Sequence, residues 1–164
     1  MNHHPIPQTD NPHRALKPGG WIEVVEIQLP STSDDGSLNE STAWWKWEQL
    51  ILEAISVGNR SLAVARNVPN LLVDVGFEQT SDLQIKTPVG GSWCTDPREK
   101  EVGRWNVVNM MEGLEGFTMA PLHRALGWSP IEVQALLGQV RTEFLEQKVH
   151  GYFVTYAPPP AWHV

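Results

Sequence analysis

The stretch "HRALKPGGWIEVVE", residues 13–26, decides how the rest of the sequence is read. It looks like a helix running out at Lys17, then a turn at Pro18-Gly19-Gly20, then an apolar strand from Trp21. Proline cannot continue a helix and glycine tolerates turn conformations closed to other residues. Residues 21–28 (WIEVVEIQ) carry apolar side chains on both faces, interrupted by Glu23 and Glu26. That is the pattern of a strand inside a sheet. Such a helix–turn–strand unit normally follows several strand–helix units, yet only residues 1–12 precede it here. They lack periodicity and are expected to form a disordered lead. His3, His4 and His13 have no scaffold to fix ligand geometry, so no metal site is expected.

A length of 164 residues suits one domain with a moderate core. Hydrophobic residues at 41 % and charged residues at 19 % fit a soluble globular chain. The net charge is −7 and no Lys/Arg run exists. Nucleic acid binding needs concentrated positive charge, so direct DNA or RNA partners are not expected. No run of 18 apolar residues and no apolar leader occur, which predicts an intracellular protein, cytoplasmic or nuclear, with no membrane partner. The single Cys94 fits a reducing compartment and reads as a plain buried thiol. Eight tryptophans are many for this length, and they suit packed cores and aromatic pocket walls alike.

Along the chain, Asp34-Asp35-Gly36 reads as a turn, because the acidic pair lacks the remaining spacing of a calcium loop. A helix is expected from Thr42 to Val57, with Trp44, Trp47, Ile51, Ala54 and Ile55 on one face. Lys46, Glu48, Gln49 and Glu53 are assigned to the opposite side. Asn67 or Asn70 caps a further short helix that Gly76 closes. Residues 77–86 alternate as a strand with one wet face, near a sheet edge. Asp96-Pro97-Arg98-Glu99 and Ser129-Pro130-Ile131-Glu132 are both N-cap signals. Between them Gly127 is expected to close a short helix carrying His123 and Arg124. Residues 149–157 (VHGYFVTYA) form a closing strand that Pro158 to Pro160 stops. The order is α/β, with too few strands to cover both faces of a parallel sheet.

"LKPGGWIEVVE" resembles the turn and fifth strand of class I S-adenosylmethionine-dependent methyltransferases, and "LLVDVGFEQTSDLQIK" is similar to their following helix and sixth strand. "SDDGSL", "WCTDPREKEVGRW", "LHRALGWSPIEVQALLGQVRTEF" and "VHGYFVTYA" look like the C-terminal half of the fungal LaeA-like methyltransferases of secondary metabolism. The resemblance runs from His13 to about Ala157. It implies the C-terminal part of a Rossmann-like sheet, strands 5, 6 and 7, in the order 5-7-6. The partial domain would cover 13–158, with a helical insertion at 95–147 before the last strand and a tail at 159–164. It also implies S-adenosylmethionine as cofactor and a small-molecule substrate or a regulatory protein partner. The family binds its cofactor on strands 1 to 3 through a glycine-rich turn. No GxGxG occurs in these 164 residues, so no cofactor-binding residue is assigned and this chain alone is expected to be inactive.

Ligands in open α/β sheets bind beyond the carboxyl ends of the strands, so residues 26–28 and the following loop should border the pocket. Glu26 is a candidate general base there, with backbone capping as the plainer reading. His123 is a second candidate base, because imidazole titrates near neutral pH. The plainer reading is a surface histidine bonded locally. Trp44, Trp45 and Trp93 are candidate walls of an aromatic substrate pocket, with at least one of Trp44 and Trp47 in the core. Three functions compete: a methyltransferase-family protein, a non-catalytic remnant that binds a partner, and a small-molecule binding module. An unpaired apolar strand at 21–27 would also favour self-association.

Overall fold

The computed structural model describes residues 16, 17, 19–58, 62, 65–78 and 83–157. The lead 1–12 and the tail 159–164 therefore lie outside the described residues, as does most of the expected first helix end. The elements are β1 (Glu26–Thr32), α1 (Ala43–Val57), a 3-10 turn (Ala65–Asn67), α2 (Val68–Asp74), β2 (Leu83–Pro88), α3 (Pro97–Leu126), α4 (Pro130–Glu146) and β3 (Tyr152–Ala157). The three strands form one sheet in the order β1-β3-β2. β3 runs antiparallel to both neighbours, so β1 and β2 point the same way. The last strand in sequence thus lies between the other two, as the resemblance implies.

Strand boundaries differ from the sequence reading at both edges. Pairing of β1 begins at Glu26 opposite Tyr156, one residue before β3 ends at Ala157. Residues 21–25 are therefore not strand, because the ladder that would hold them has run out. Trp21 and Val25 are 81 % and 65 % exposed, so this segment is not a sheet interior. β2 begins at Leu83, and residues 79–82 lie outside the described residues. Both Leu83 and Ile85 are exposed, so β2 is wet on two faces rather than one. The turn before Trp21 is as expected: Gly19 has φ 79° and the Gly20 N–H donates to the Lys17 carbonyl at 2.8 Å.

The helices show their caps. The Thr42 hydroxyl accepts from the Trp45 N–H at 3.2 Å, starting α1. The Glu143 carboxylate of α4 accepts from the Ala43 and Trp44 N–H groups at 2.8 and 2.9 Å. A carboxylate there satisfies two orphan donors and complements the helix dipole. Asn67 stands at the N-cap of α2 without a side-chain cap bond. Gly76 (φ 98°) follows its end, with the Gly76 and Phe77 N–H groups donating to Val73 and Leu72. This is the Schellman closure expected of that glycine.

Asp96 and Ser129 cap α3 and α4, the latter with Glu132 in a reciprocal capping box. The expected short helix around His123 does not exist. Instead α3 runs 30 residues through Pro121 and is closed by Gly127 at φ 73°. Gly103, Val107, Leu114, Thr118 and Leu122 are its buried positions, a stripe long enough to hold one helix against the body.

The core lies among α1, α3, α4 and β3. Trp44 is 1 % exposed, edge-on to Phe144 at 5.1 Å and tilted against Phe153 at 6.2 Å. Gly151 has no room for a Cβ because the Trp44 ring sits against its backbone. Trp47 is also buried, and its indole N–H donates to the Thr118 hydroxyl at 2.8 Å. Asn106 of α3 donates to the Pro88 carbonyl at 3.0 Å, tying the long helix to the end of β2.

Candidate functional site

A cleft of about 480 Å³ opens beside β1, lined by Gln28 to Thr32, Arg66 and Val154. The ladder explains its place. Register between β1 and β3 is regular at residues 26–28, shifts, and resumes only at Thr32 opposite Tyr152. Residues 29–31 thus leave the ladder, as a bulge does, and the Leu29–Pro30 peptide there is cis. The Arg66 Nε–H donates to the Gln28 Oε1 at 2.6 Å, joining the 3-10 turn to the strand.

Behind Ser31 lies a carboxylate that sequence polarity hides. Glu48 of α1 is 0 % exposed, although its charge assigns it to the solvent side. Its spacing says otherwise: Glu48 is four residues after Trp44, on the same face of the helix. One carboxylate oxygen accepts from the Ser31 N–H at 2.8 Å. The other accepts from the Ser31 hydroxyl at 2.5 Å and from the Trp44 indole N–H at 3.0 Å. Burial pushes the Glu48 carboxyl above its ordinary range, and the Ser31 and Trp44 donors oppose that. While Glu48 is ionised, the Ser31 hydroxyl gives its only proton to it, so toward any other group it acts as an acceptor.

A second polar cluster stands at the carboxyl ends of β1 and β2. Asp34 accepts from Lys86 at 2.5 Å and from the Tyr152 hydroxyl at 2.7 Å. The Lys86 ammonium also lies 4.7 Å from the centre of the Tyr152 ring. These two donors, Lys86 first, hold the Asp34 carboxyl below its usual value, and the same bond raises the tyrosine. Asp35 accepts from the Ser37 N–H at 2.9 Å and meets His150 Nδ1 at 2.7 Å. The Ser37 donors lead in lowering Asp35 to about 2. The His150 ring stacks on Trp93 at 5.4 Å and 25°. The expected plain turn is therefore a clamp joining the loop after β1 to β2 and β3.

The candidate residues do not converge. Trp44 belongs to the core, so it is no open pocket wall, and Trp45 packs half-buried against that core. Trp93 stands in the second cluster, and its indole nitrogen is buried without a partner among the described residues. Glu26 is exposed at the first pair of the ladder, outside the cleft lining. His123 is exposed near the end of α3, and its Nδ1 lies 2.7 Å from the Trp128 carbonyl. A carbonyl can only accept, so Nδ1 carries the proton and Nε2 is left as the acceptor in the neutral ring. No hydrogen bond, ion pair or ring contact among the described residues joins His123 to Glu26 or to Trp93. Cys94 is buried, as expected of a plain thiol, and burial pushes its pKa up. No cluster of metal-binding side chains occurs among the described residues, and no described helix is long and apolar enough to cross a membrane.

Known proteins match over most of the chain. It is 33 % identical to "Probable methyltransferase tdiE" of Emericella nidulans, over 90 % of this chain and 47 % of that protein. It is 34 % identical to "Secondary metabolism regulator LAE1" of Cochliobolus heterostrophus, over 84 % of this chain and 45 % of that protein. It is 31 % identical to "Protein-methionine methyltransferase laeA" of Chaetomium globosum, over 92 % of this chain and 48 % of that protein. The chain belongs to the fungal LaeA-like methyltransferase family. It spans about half the length of the curated relatives it matches. No family model and no solved structure matches. The loop SDDGSL, the strand VHGYFVTYA and Trp93 at the head of WCTDPREKEVGRW meet in the second cluster, through Asp34, Asp35, His150, Tyr152 and Trp93. Sequence reasoning missed Glu48 and Arg66. Helical spacing from Trp44 could have found the first; nothing local marks the second, whose role depends on where the turn after α1 lands.

Proposed function

We propose that these 164 residues are the substrate-side half of an S-adenosylmethionine-dependent methyltransferase of fungal secondary metabolism. β1, β2 and β3 then correspond to strands 5, 6 and 7, and α3 with α4 to the insertion before the last strand. The observation that carries this reading is the match to methyltransferases and secondary-metabolism regulators over 84–92 % of the chain, joined to a sheet that places the last strand in the middle. The cofactor would be held by the other half of the fold, with its glycine-rich turn. Positioning a methyl group for in-line attack is the main catalytic task, and most of the affinity that achieves it comes from remote parts of the cofactor.

In this reading the chain supplies the acceptor pocket beside the second half of β1 and the loop after it. Trp45 and Trp93 are the candidate aromatic groups, both outside the lining of the cleft beside β1. Glu26 and His123 are the candidate proton acceptors, His123 through the Nε2 left free by its bond to Trp128. The acceptor is a small molecule or a regulatory protein partner.

The test joins these residues to the remaining half of tdiE and compares the chimera with the 164 residues alone. The chimera is expected to bind S-adenosylmethionine in isothermal titration and to consume it in the presence of a methyl acceptor. The 164 residues alone are expected to show no micromolar affinity. Micromolar binding by the short chain would overturn the assignment of the substrate-side half.

A further inference from the structure

We propose that the cleft beside β1 binds a small hydroxy acid, whose carboxylate is held by Arg66 and Gln28 and whose hydroxyl donates to Ser31. This takes the cleft to be the acceptor pocket, and so rests on the function proposed above for its identification as substrate; the binding itself does not.

The polar groups of the cleft have fixed directions. Gln28 is 7 % exposed, and its amide oxygen accepts from the Arg66 Nε–H. With the oxygen occupied, the Gln28 nitrogen is the free end of the amide, and it is a donor only. It has no hydrogen-bond partner among the described residues, and Gln28 lines the cleft. The Nε–H is the one Arg66 donor with a hydrogen bond among the described residues, which leaves the terminal guanidinium nitrogens without one. Arg66 therefore keeps a charged pair of donors beside a neutral one, and none of the three can accept. A planar acceptor with negative charge matches that set, and the guanidinium fork favours a carboxylate held by two parallel bonds.

Ser31 adds the opposite requirement. With Glu48 ionised, the serine's proton is committed to that buried carboxylate, which also takes the Ser31 N–H and Trp44 donors, so the hydroxyl faces the cleft side as an acceptor. A ligand reaching Ser31 must donate. Glu48 is then a positioning residue, touching no ligand and holding the serine in its accepting orientation. Leu29, Pro30 and Val154 line the cleft with apolar surface for the body of the molecule.

The experiment titrates the 164-residue protein with 3-hydroxybenzoate in the absence of cofactor, followed by ¹H–¹⁵N NMR. Shift changes are expected at the amides of Gln28, Leu29, Ser31, Thr32 and Arg66. The methyl ester, which keeps the ring and hydroxyl but loses the charge, should bind about tenfold more weakly or not at all. Arg66→Met should weaken the acid by a similar factor, measured below its own unfolding transition because it also loses the bond to Gln28, and Arg66→Lys should recover part of the loss. The proposal is overturned if the acid causes no shifts at these residues, if the ester binds as well as the acid, or if Arg66→Met binds undiminished. It is also overturned if inorganic phosphate binds there more tightly than the acid, which would make the cleft a general oxyanion patch. Because no cofactor is present, a failed methyl transfer by the chimera leaves this result standing, and a failed titration leaves the methyltransferase reading standing.

Discussion

Glu48 and the Asp34–Asp35 pair do the same mechanical task in opposite surroundings. Each fastens the second half of β1 or its loop to another element. Glu48 does so from α1, fully buried, with three neutral donors and no cation. The aspartates do so in water, with Lys86, His150 and Tyr152 as partners. Burial removes the competing water, so each bond to Glu48 matters more, and it also makes the charge itself costly. Exposure leaves the aspartates charged at little cost and their bonds weak. The pKa directions follow: the buried carboxyl is raised, the exposed ones are lowered.

The sharpest break of this comparison is Glu48→Ala. It strands the Ser31 N–H and hydroxyl and the Trp44 N–H in the interior, and a loss of about 3 kcal/mol is expected in urea unfolding. Asp34→Asn should move the midpoint far less. Equal losses in the two variants would remove the distinction drawn here.

The second test uses pH. A carboxyl raised by folding binds its proton more tightly in the native state, so native stability falls as pH rises above the ordinary value of 4.5. Asp35 acts in the other direction. Its pKa is lowered from 3.8 to about 2, so its contribution is present above 3.8 and is lost as pH falls through 2. Wild-type stability measured against Glu48→Gln should therefore decline as pH rises above 4.5, and against Asp35→Asn it should decline only in acid. A flat difference between wild type and Glu48→Gln would mean that the carboxyl is not raised.

The smallest effect on stability is expected at the outer edge of β1. That edge has no strand partner among the described residues, and Ile27 is 46 % exposed beside it. Self-association through the edge is expected to appear in light scattering at rising concentration, and Ile27→Lys should suppress it with little change in the unfolding midpoint. A wild-type protein that stays monomeric over a wide concentration range would count against this.

Much of the framework was legible because local signals carry it. Asp96 and Ser129 start helices by accepting their first N–H groups, and Gly76 and Gly127 end helices in positive φ, chemistry complete within a few residues. The span of α1 followed from periodicity. Strand ends were less legible, because Trp21 to Val25 are as strand-like in composition as β1 itself and differ only in having nothing opposite them. The short helix expected at His123 failed for a related reason: the stripe from Gly103 to Leu122 is held by packing that the local sequence does not display.

The sequence by itself determined the family, the α/β order, the caps and the presence of one apolar face on α1. Those depend on residue type and spacing, which survive in one dimension. Only the tertiary structure decided that Glu48 lies under Ser31, that Arg66 reaches Gln28, and that the Asp34–Asp35 turn is clamped by Lys86, His150 and Tyr152. Those pairs are separated by 17 to 118 residues, and whether a charge is buried or solvated depends on what the rest of the chain brings within 3 Å of it.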